Sequence, residues 1–193
     1  MELKNKVVVI TGSSNGIGKE TACKFAAEGC KVVITYYKDK EEAEKTSKRC
    51  FELGASDVIV LKLDVKDSSN IKDVVDKIVK KFGKISILVN NAGVISWKVL
   101  EKQSEKEIED QIRTNLEGLI KMTKACLKHT EDVIVNIASG AGKTGYAELA
   151  VYCATKFGTR GFTQSMAEEV SKPKFYCVNP GTTATRMTNF KGV

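Results

Sequence analysis

The chain has 193 residues, 42% of them hydrophobic, which is enough to bury one substantial core. No Pro/Gly/Ser-rich linker or charge block divides it, so a single domain over 1–193 is expected. The formal charge is +7, but only four of the 31 basic residues are arginines and the lysines are spread over nearly every predicted helix. That pattern speaks against an arginine-led, aromatic-interleaved nucleic-acid surface. The first six residues lack the apolar core of a signal peptide and no apolar run approaches a membrane span, so a cytoplasmic protein without a membrane partner is expected.

In chain order, an apolar run at 6–11 leads into Thr11-Gly12-Ser13-Ser14-Asn15-Gly16-Ile17-Gly18 and then a helical pattern at 16–28. Strand, glycine turn and helix in that order suit a dinucleotide: Gly12, Gly16 and Gly18 let backbone approach a pyrophosphate, and the helix start offers it unpaired N–H groups. A triphosphate-binding loop is disfavoured, because Ser13 stands where its first glycine belongs and Lys19 is followed by Glu20.

Short, continuous, β-branched runs follow at 31–36, 57–63, 85–90, 132–138 and 174–179, as buried parallel strands require. Helical spacing fills 40–53, 69–82, 105–128 and 150–170, with Ser104 and Glu107 reading as a capping box for the fourth helix and a tight turn over 128–131. The repeated βα order predicts right-handed crossovers and an α/β doubly wound parallel sheet, with ligands at the carboxyl ends of its strands. At the end of the second strand, Thr35-Tyr36-Tyr37-Lys38 offers no acid for ribose hydroxyls, and Lys38 can pair with a 2′-phosphate.

Six cysteines occur without a C-x-x-C pair and with His129 as the sole histidine, so no metal site is expected and the thiols are read as reduced core residues. Tyr152 and Lys156 lie four apart on a predicted helix, thirteen residues after Ser139 ends an apolar run. One helical turn sets the phenol and the ammonium on one face, where the positive charge is expected to lower the phenol's pKa.

Together these motifs resemble the short-chain dehydrogenase/reductase family, which includes 3-oxoacyl-carrier-protein reductases and glucose dehydrogenases. The resemblance spans nearly the whole chain and adds Asp64, similar to an adenine-binding Asp; Asn90-Asn91-Ala92-Gly93, similar to the family signature; Asn115, similar to a catalytic Asn; and Pro180-Gly181 with Thr185, similar to a cofactor-closing segment. It implies a Rossmann-type fold in three α/β/α layers and hydride transfer between a nicotinamide and a carbonyl or secondary alcohol. Tyr152 is the implied acid/base, Ser139 its partner on the substrate oxygen, Lys156 the ribose contact and Asn115 a link toward solvent. The implied cofactor contacts are Gly12, Ser14, Asn15, Gly16, Ile17, Tyr36, Lys38, Asp64, Val65, Asn91, Ala92, Gly93, Tyr152, Lys156, Pro180, Gly181, Thr183 and Thr185.

NADP is expected over NAD because Tyr36 stands at the family's acidic position, although Asn15 replaces the basic residue that many NADP-using relatives carry. Val94, Ile95, Ser96, Ala141, Tyr146 and Met187 are expected to wall a mostly apolar pocket for a small-molecule substrate. A homodimer or homotetramer is expected through helices 105–128 and 150–170, with Leu119, Met122 and Phe157 at the interface. Relatives continue past this point with a flap, a helix and a last strand, so the resemblance implies a native chain longer than 193 residues. The competing expectation is a catalytically silent dinucleotide-binding regulator.

Overall fold

The computed structural model describes residues 2–185 and 187. Six strands, β1 (Val7–Ile10), β2 (Lys31–Tyr36), β3 (Asp57–Lys62), β4 (Ile85–Asn90), β5 (Thr130–Ile137) and β6 (Lys174–Val178), pair in parallel in the order β3-β2-β1-β4-β5-β6. The helices are α1 (Gly16–Ala27), α2 (Lys40–Glu52), α3 (Ser68–Phe82), α4 (Glu105–Ile112), α5 (Gly118–Cys126) and α6 (Ala150–Glu169).

Successive strand residues point to opposite faces, and each face has its own core. Val7, Val9, Val33 and Leu88 meet Ile71, Val75 and Ile78 of α3, Met122 and Cys126 of α5 and Met166 of α6. Val8, Ile10, Val32, Ile34 and Val89 meet Ala22 and Ala26 of α1 and Ala43 and Cys50 of α2 on the other face. This is the expected three-layer, doubly wound arrangement. Sequential neighbours diverge between β1 and β4, so the loops after those two strands face each other across the crevice where such folds bind ligands.

The expected single helix over 105–128 is broken. A π-helical turn, Arg113–Glu117, separates α4 from α5, and a 3₁₀ turn at Leu127–His129 follows α5. The wider turn carries Asn115, whose amide is committed to the neighbouring loop, while Gly118 lies so close to Val65 that an added Cβ would sit 2.7 Å from its Cγ2. Strand β5 begins at Thr130, earlier than expected, because the 3₁₀ turn feeds directly into it and Thr130 Oγ1 donates to the Cys126 carbonyl at 3.0 Å. The tight turn expected over 128–131 is therefore half 3₁₀ turn and half strand.

Leu119 and Met122, expected at a subunit interface, are 6% and 0% exposed within the chain itself; of the three residues named, only Phe157, at 45%, is exposed. Leu119 and Met122 lie three residues apart on one face of α5, and Met122 packs into the core cluster with Leu88 of β4 and Ile134 of β5. All six cysteines are free thiols. No helix among the described residues is long and apolar enough to cross a membrane.

Candidate active site

The glycine turn after β1 is wired by short buried hydroxyls. Thr35 Oγ1 accepts from Gly12 N at 3.0 Å, and Ser13 Oγ accepts from Thr35 N at 2.9 Å while donating to the Ile10 carbonyl. Thr11 Oγ1 accepts from the amides of Asn91 and Ala92, both at 2.9 Å, and Asn91 Nδ2 returns bonds to the carbonyls of Thr11 and Gly12. Gly12 has φ +63 and faces Ala92; an added Cβ at Gly18 would lie 2.5 Å from both Gly12 O and Asn91 Nδ2. Only glycine fits a backbone packed this closely.

Asn15 precedes α1 and makes no side-chain bond to the helix's first amides; its Nδ2 turns instead to Ser14 Oγ at 3.3 Å. The start of α1 thus presents N–H groups and the positive dipole end, as a pyrophosphate requires, and the residues present fit that group. Thr46 Oγ1 of α2 bonds the Ser14 carbonyl at 3.0 Å and steadies the loop from the other side. The segment from Pro180 to Thr185 comes back toward this turn: Pro180 O accepts from Gly140 N at 2.8 Å, Thr183 bonds the Gly181 carbonyl at 3.1 Å, and an added Cβ on Gly16 would lie 3.4 Å from Thr185 Cγ2.

At the end of β2, Tyr36, Tyr37 and Lys38 line a cleft of about 460 Å³ together with Lys40 and Lys62. Lys38 Nζ and Lys66 Nζ lie 5.4 and 5.7 Å from the centre of the Tyr37 ring. Asp64 follows β3, its Oδ1 accepting from Lys66 N at 3.0 Å and its own N–H donating to Asn70 Oδ1 at 2.7 Å. Val65 is buried against α5.

Ser139, Asn115, Tyr152 and Lys156 converge at the carboxyl ends of β4 and β5. Ser139 lies two residues beyond β5, and its Oγ accepts from Ala141 N at 3.1 Å. Tyr152 and Lys156 lie one turn apart on α6, 8% and 4% exposed, with Nζ 5.5 Å from the phenol ring centre and bonded to the Ile137 carbonyl at 2.9 Å. Asn115 closes the group: Oδ1 accepts from Val94 N at 2.7 Å, and Nδ2 donates to Val94 O at 2.8 Å and Thr155 Oγ1 at 3.2 Å. Gly93 lies between, since an added Cβ would be 3.3 Å from Asn115 Oδ1 and 3.8 Å from Lys156 Nζ.

The direction of the phenol's pKa departs from the sequence expectation. Burial pushes Tyr152 up, with the Ser139 hydrogen bond pulling down and Cys153 adding to the rise. Lys156 is not among the groups that move the phenol, and burial drives its own ammonium down to about 8. The result is a phenol held protonated beside a lysine that releases its proton readily.

Of the expected pocket wall, Ile95 packs on Ala141, Leu149, Tyr152 and Cys153, and the Tyr146 hydroxyl approaches Gly140. Val94, Tyr146 and Met187 are exposed. Sequence reasoning gave no structural role to Thr11, Ser13, Thr35 and Thr155, although each lies within a segment it singled out, and their hydroxyls hold the site residues. Their signal was a hydroxyl interrupting an apolar strand end or helix face.

The family model described as short chain dehydrogenase matches residues 6–192. The chain belongs to the short-chain dehydrogenase family. It is 34% identical over 190 residues to the 3-oxoacyl-(acyl-carrier-protein) reductase of Staphylococcus aureus, covering 95% of this chain and 77% of that one. The 3-oxoacyl-(acyl-carrier-protein) reductase of Thermotoga maritima is 36% identical over 195 residues, covering 97% and 78%. Among solved structures, an alcohol dehydrogenase from Thermococcus sibiricus complexed with 5-hydroxy-NADP superposes with a TM-score of 0.91 at 27% identity, covering 96% of this chain and 80% of that one. Levodione reductase gives 0.90 at 28% identity, covering 96% and 74%. As a short-chain dehydrogenase/reductase the chain is an NAD(P)-dependent oxidoreductase.

Proposed function

We propose that this short-chain dehydrogenase uses NADP to interconvert a carbonyl and a secondary alcohol, with Tyr152 as general acid/base. The observation that carries the reading is the convergence of Ser139, Tyr152, Lys156 and Asn115 at one strand edge, beside a glycine turn shaped for a pyrophosphate. When bound, the nicotinamide supplies or accepts hydride at C4 of its ring.

In the reducing direction Tyr152 donates its phenolic proton to the carbonyl oxygen, and the Ser139 hydroxyl hydrogen-bonds that oxygen as charge develops on it. A phenol raised by burial starts in the protonated form this step needs. Lys156 spends one of its three N–H donors on the Ile137 carbonyl, which leaves the others for the nicotinamide ribose. With a pKa near 8 it passes a proton toward the phenolate at low cost. Asn115 holds Val94 and Thr155 in place behind this pair.

For the adenosine end, Gly12, Ser14, Asn15, Gly16 and Ile17 cradle the pyrophosphate, and Asp64, Val65, Asn91, Ala92 and Gly93 border the adenine and ribose side. Pro180, Gly181, Thr183 and Thr185 close over it. NADP is favoured because the cleft at the end of β2 holds Lys38, Lys40 and Lys62 and no carboxylate. A homo-oligomeric, cytoplasmic enzyme acting on a small molecule completes the reading; light scattering and cell fractionation test those two parts.

The reading is tested by a panel of ketones and secondary alcohols assayed with NADPH and NADH. Turnover of at least one ketone, with NADPH the better cofactor, is expected. Tight cofactor binding with no turnover across a broad panel would replace it by the silent regulator.

A further inference from the structure

Segment 94–104 runs from the Asn90-Asn91-Ala92-Gly93 turn to the start of α4 and carries Val94, Trp97, Val99 and Leu100, 39%, 53%, 43% and 57% exposed. A stretch with that much apolar surface has little core of its own to order it. What orders it is polar. Glu107, Gln111 and Asn115 stand at four-residue spacing along α4 and the π-helical turn, so all three face the same way, and each one reaches this segment.

Asn115 takes both the N–H and the carbonyl of Val94. Gln111, 1% exposed, accepts from Ser96 N at 3.3 Å through Oε1, while its Nε2 donates to Gln103 Oε1 at 3.0 Å and to the Glu107 carbonyl at 3.1 Å. Gln103 in turn donates to the Lys98 carbonyl at 2.9 Å. Glu107 Oε1 accepts from Ser96 Oγ at 3.1 Å and Lys98 Nζ at 2.6 Å, and its Oε2 accepts from Ser104 N and Oγ, both at 2.9 Å. So many donors hold the Glu107 carboxylate down at about 2, with Lys98 the largest cause, and it stays charged throughout the working range.

The far side of the segment is tied to the catalytic helix. Lys98 N donates to the Glu148 carbonyl at 3.1 Å, Glu148 being held at φ +64 just ahead of α6, and Ile95 packs on the cluster containing Tyr152. A left-handed non-glycine residue is strained, and such strain persists where its surroundings over-determine it.

We propose that Glu107 and Gln111 are positioning residues for substrate binding, forming with Asn115 a polar ladder that fixes segment 94–104 as a rigid apolar wall beside Tyr152. The inference deepens the proposed acid/base reading and rests on it only for the meaning of the wall, not for the ladder. It assigns the wall to the apolar part of the substrate, since Val94, Ile95 and Trp97 offer surface and no hydrogen-bond donor of their own side chains beyond the indole N–H. The two residues touch neither substrate nor cofactor; they act through Ser96, Lys98 and Gln103.

Trp97 is the chain's one tryptophan, so its fluorescence reports the segment directly. Glu107→Ala, Gln111→Ala and, as a control on the same helix, Glu109→Ala are compared with the unaltered chain by amide hydrogen exchange and tryptophan anisotropy. Both ladder variants should speed exchange at Ser96 and Lys98 by about tenfold or more and lower the anisotropy, while the amides of β1 and β4 keep their protection. Their KM for the best ketone of the panel should rise about tenfold with kcat and cofactor KM little changed, and Glu107→Gln should recover part of the loss. Unchanged exchange and anisotropy over 94–104 would overturn the ladder, as would acceleration spread evenly over the sheet. A ladder that holds by exchange, in a protein whose Tyr152 variant retains full turnover, would place the failure in the acid/base reading instead.

Discussion

The proposed cofactor side and the proposed substrate side of the crevice are built on opposite plans. Around the glycine turn, Ser13, Thr11 and Thr35 are 0%, 2% and 1% exposed, and their hydroxyls bond backbone within the turn and the strands beside it. Across the crevice, Trp97 and Leu100 are more than half exposed, on a segment held by side chains of α4. The first plan fixes backbone, and a pyrophosphate is recognised by backbone. The second leaves side-chain surface open, and surface is what a variable substrate meets. On the proposed reading, the difference teaches that one side serves a chemistry shared by every user of the cofactor, while the other sets specificity.

Lys156 belongs to both sides, so its loss should do most damage. Lys156→Ala removes the donor expected to reach the ribose and the charge next to the phenol, and turnover should fall by about a hundredfold or more with cofactor affinity falling too. Steady-state kinetics and fluorescence titration separate the two effects; unchanged cofactor affinity would assign Lys156 to the substrate side alone.

Gly18→Ala tests the closed plan. Its Cβ would meet the Gly12 carbonyl and Asn91 at 2.5 Å, so the turn must shift. A loss of about 1–3 kcal/mol in denaturant unfolding is expected, with weaker cofactor binding. Wild-type stability in that variant would mean the turn is looser than its contacts imply.

Tyr36→Asp places a carboxylate in the cleft beside Lys38, Lys40 and Lys62 and should move preference from NADPH toward NADH by about tenfold. Kinetics with both cofactors decide it. An unaltered protein that already prefers NADH would contradict the reading of the cleft.

The close-packed glycine turn after β1 was legible in the sequence, because glycines at a strand end are a local signal. The strands and most helices were legible for the same reason: a buried parallel strand is a continuous apolar run. The break at Arg113–Glu117 was not, since helical spacing continues through it and only tertiary bonds from Asn115 show where the turn widens. The phenol's pKa was misread because spacing puts Lys156 near Tyr152 but does not reveal that both are buried. Leu119 and Met122 were misplaced for a related reason: helical periodicity finds an apolar face and cannot say which neighbour covers it.

A smaller effect follows from the buried lysine. Its folded pKa of about 8 lies below the ordinary 10.5, so the unfolded chain binds more protons between those values and stability from this group rises with pH across that window. Below about 8 both states are protonated and the cost of burying the charge is present in full. Lys156→Met should remove the rise, and the difference in Tm between the variant and the parent should therefore shrink from pH 8 to pH 10. Buried thiols such as Cys126, pushed up to about 12, act in the opposite direction but equally in both proteins. A difference that does not vary with pH would contradict the burial of a charged Lys156.

The smallest expected change is a gain. Gly161 lies within α6 with nothing within 4 Å of an added Cβ, so Gly161→Ala should stabilise the chain by about 0.5–1 kcal/mol, the reverse of Gly18→Ala. Thermal unfolding of the two variants side by side contrasts a glycine required by contact with one that is not.

The central claim is that a phenol on α6 moves the proton, and Tyr152→Phe tests it most directly because it keeps the ring and its packing while removing the hydroxyl. With the best ketone of the panel, turnover should fall by about a hundredfold or more while the affinity for NADPH, titrated separately, stays near that of the parent. Turnover within a few-fold of the parent would contradict the account.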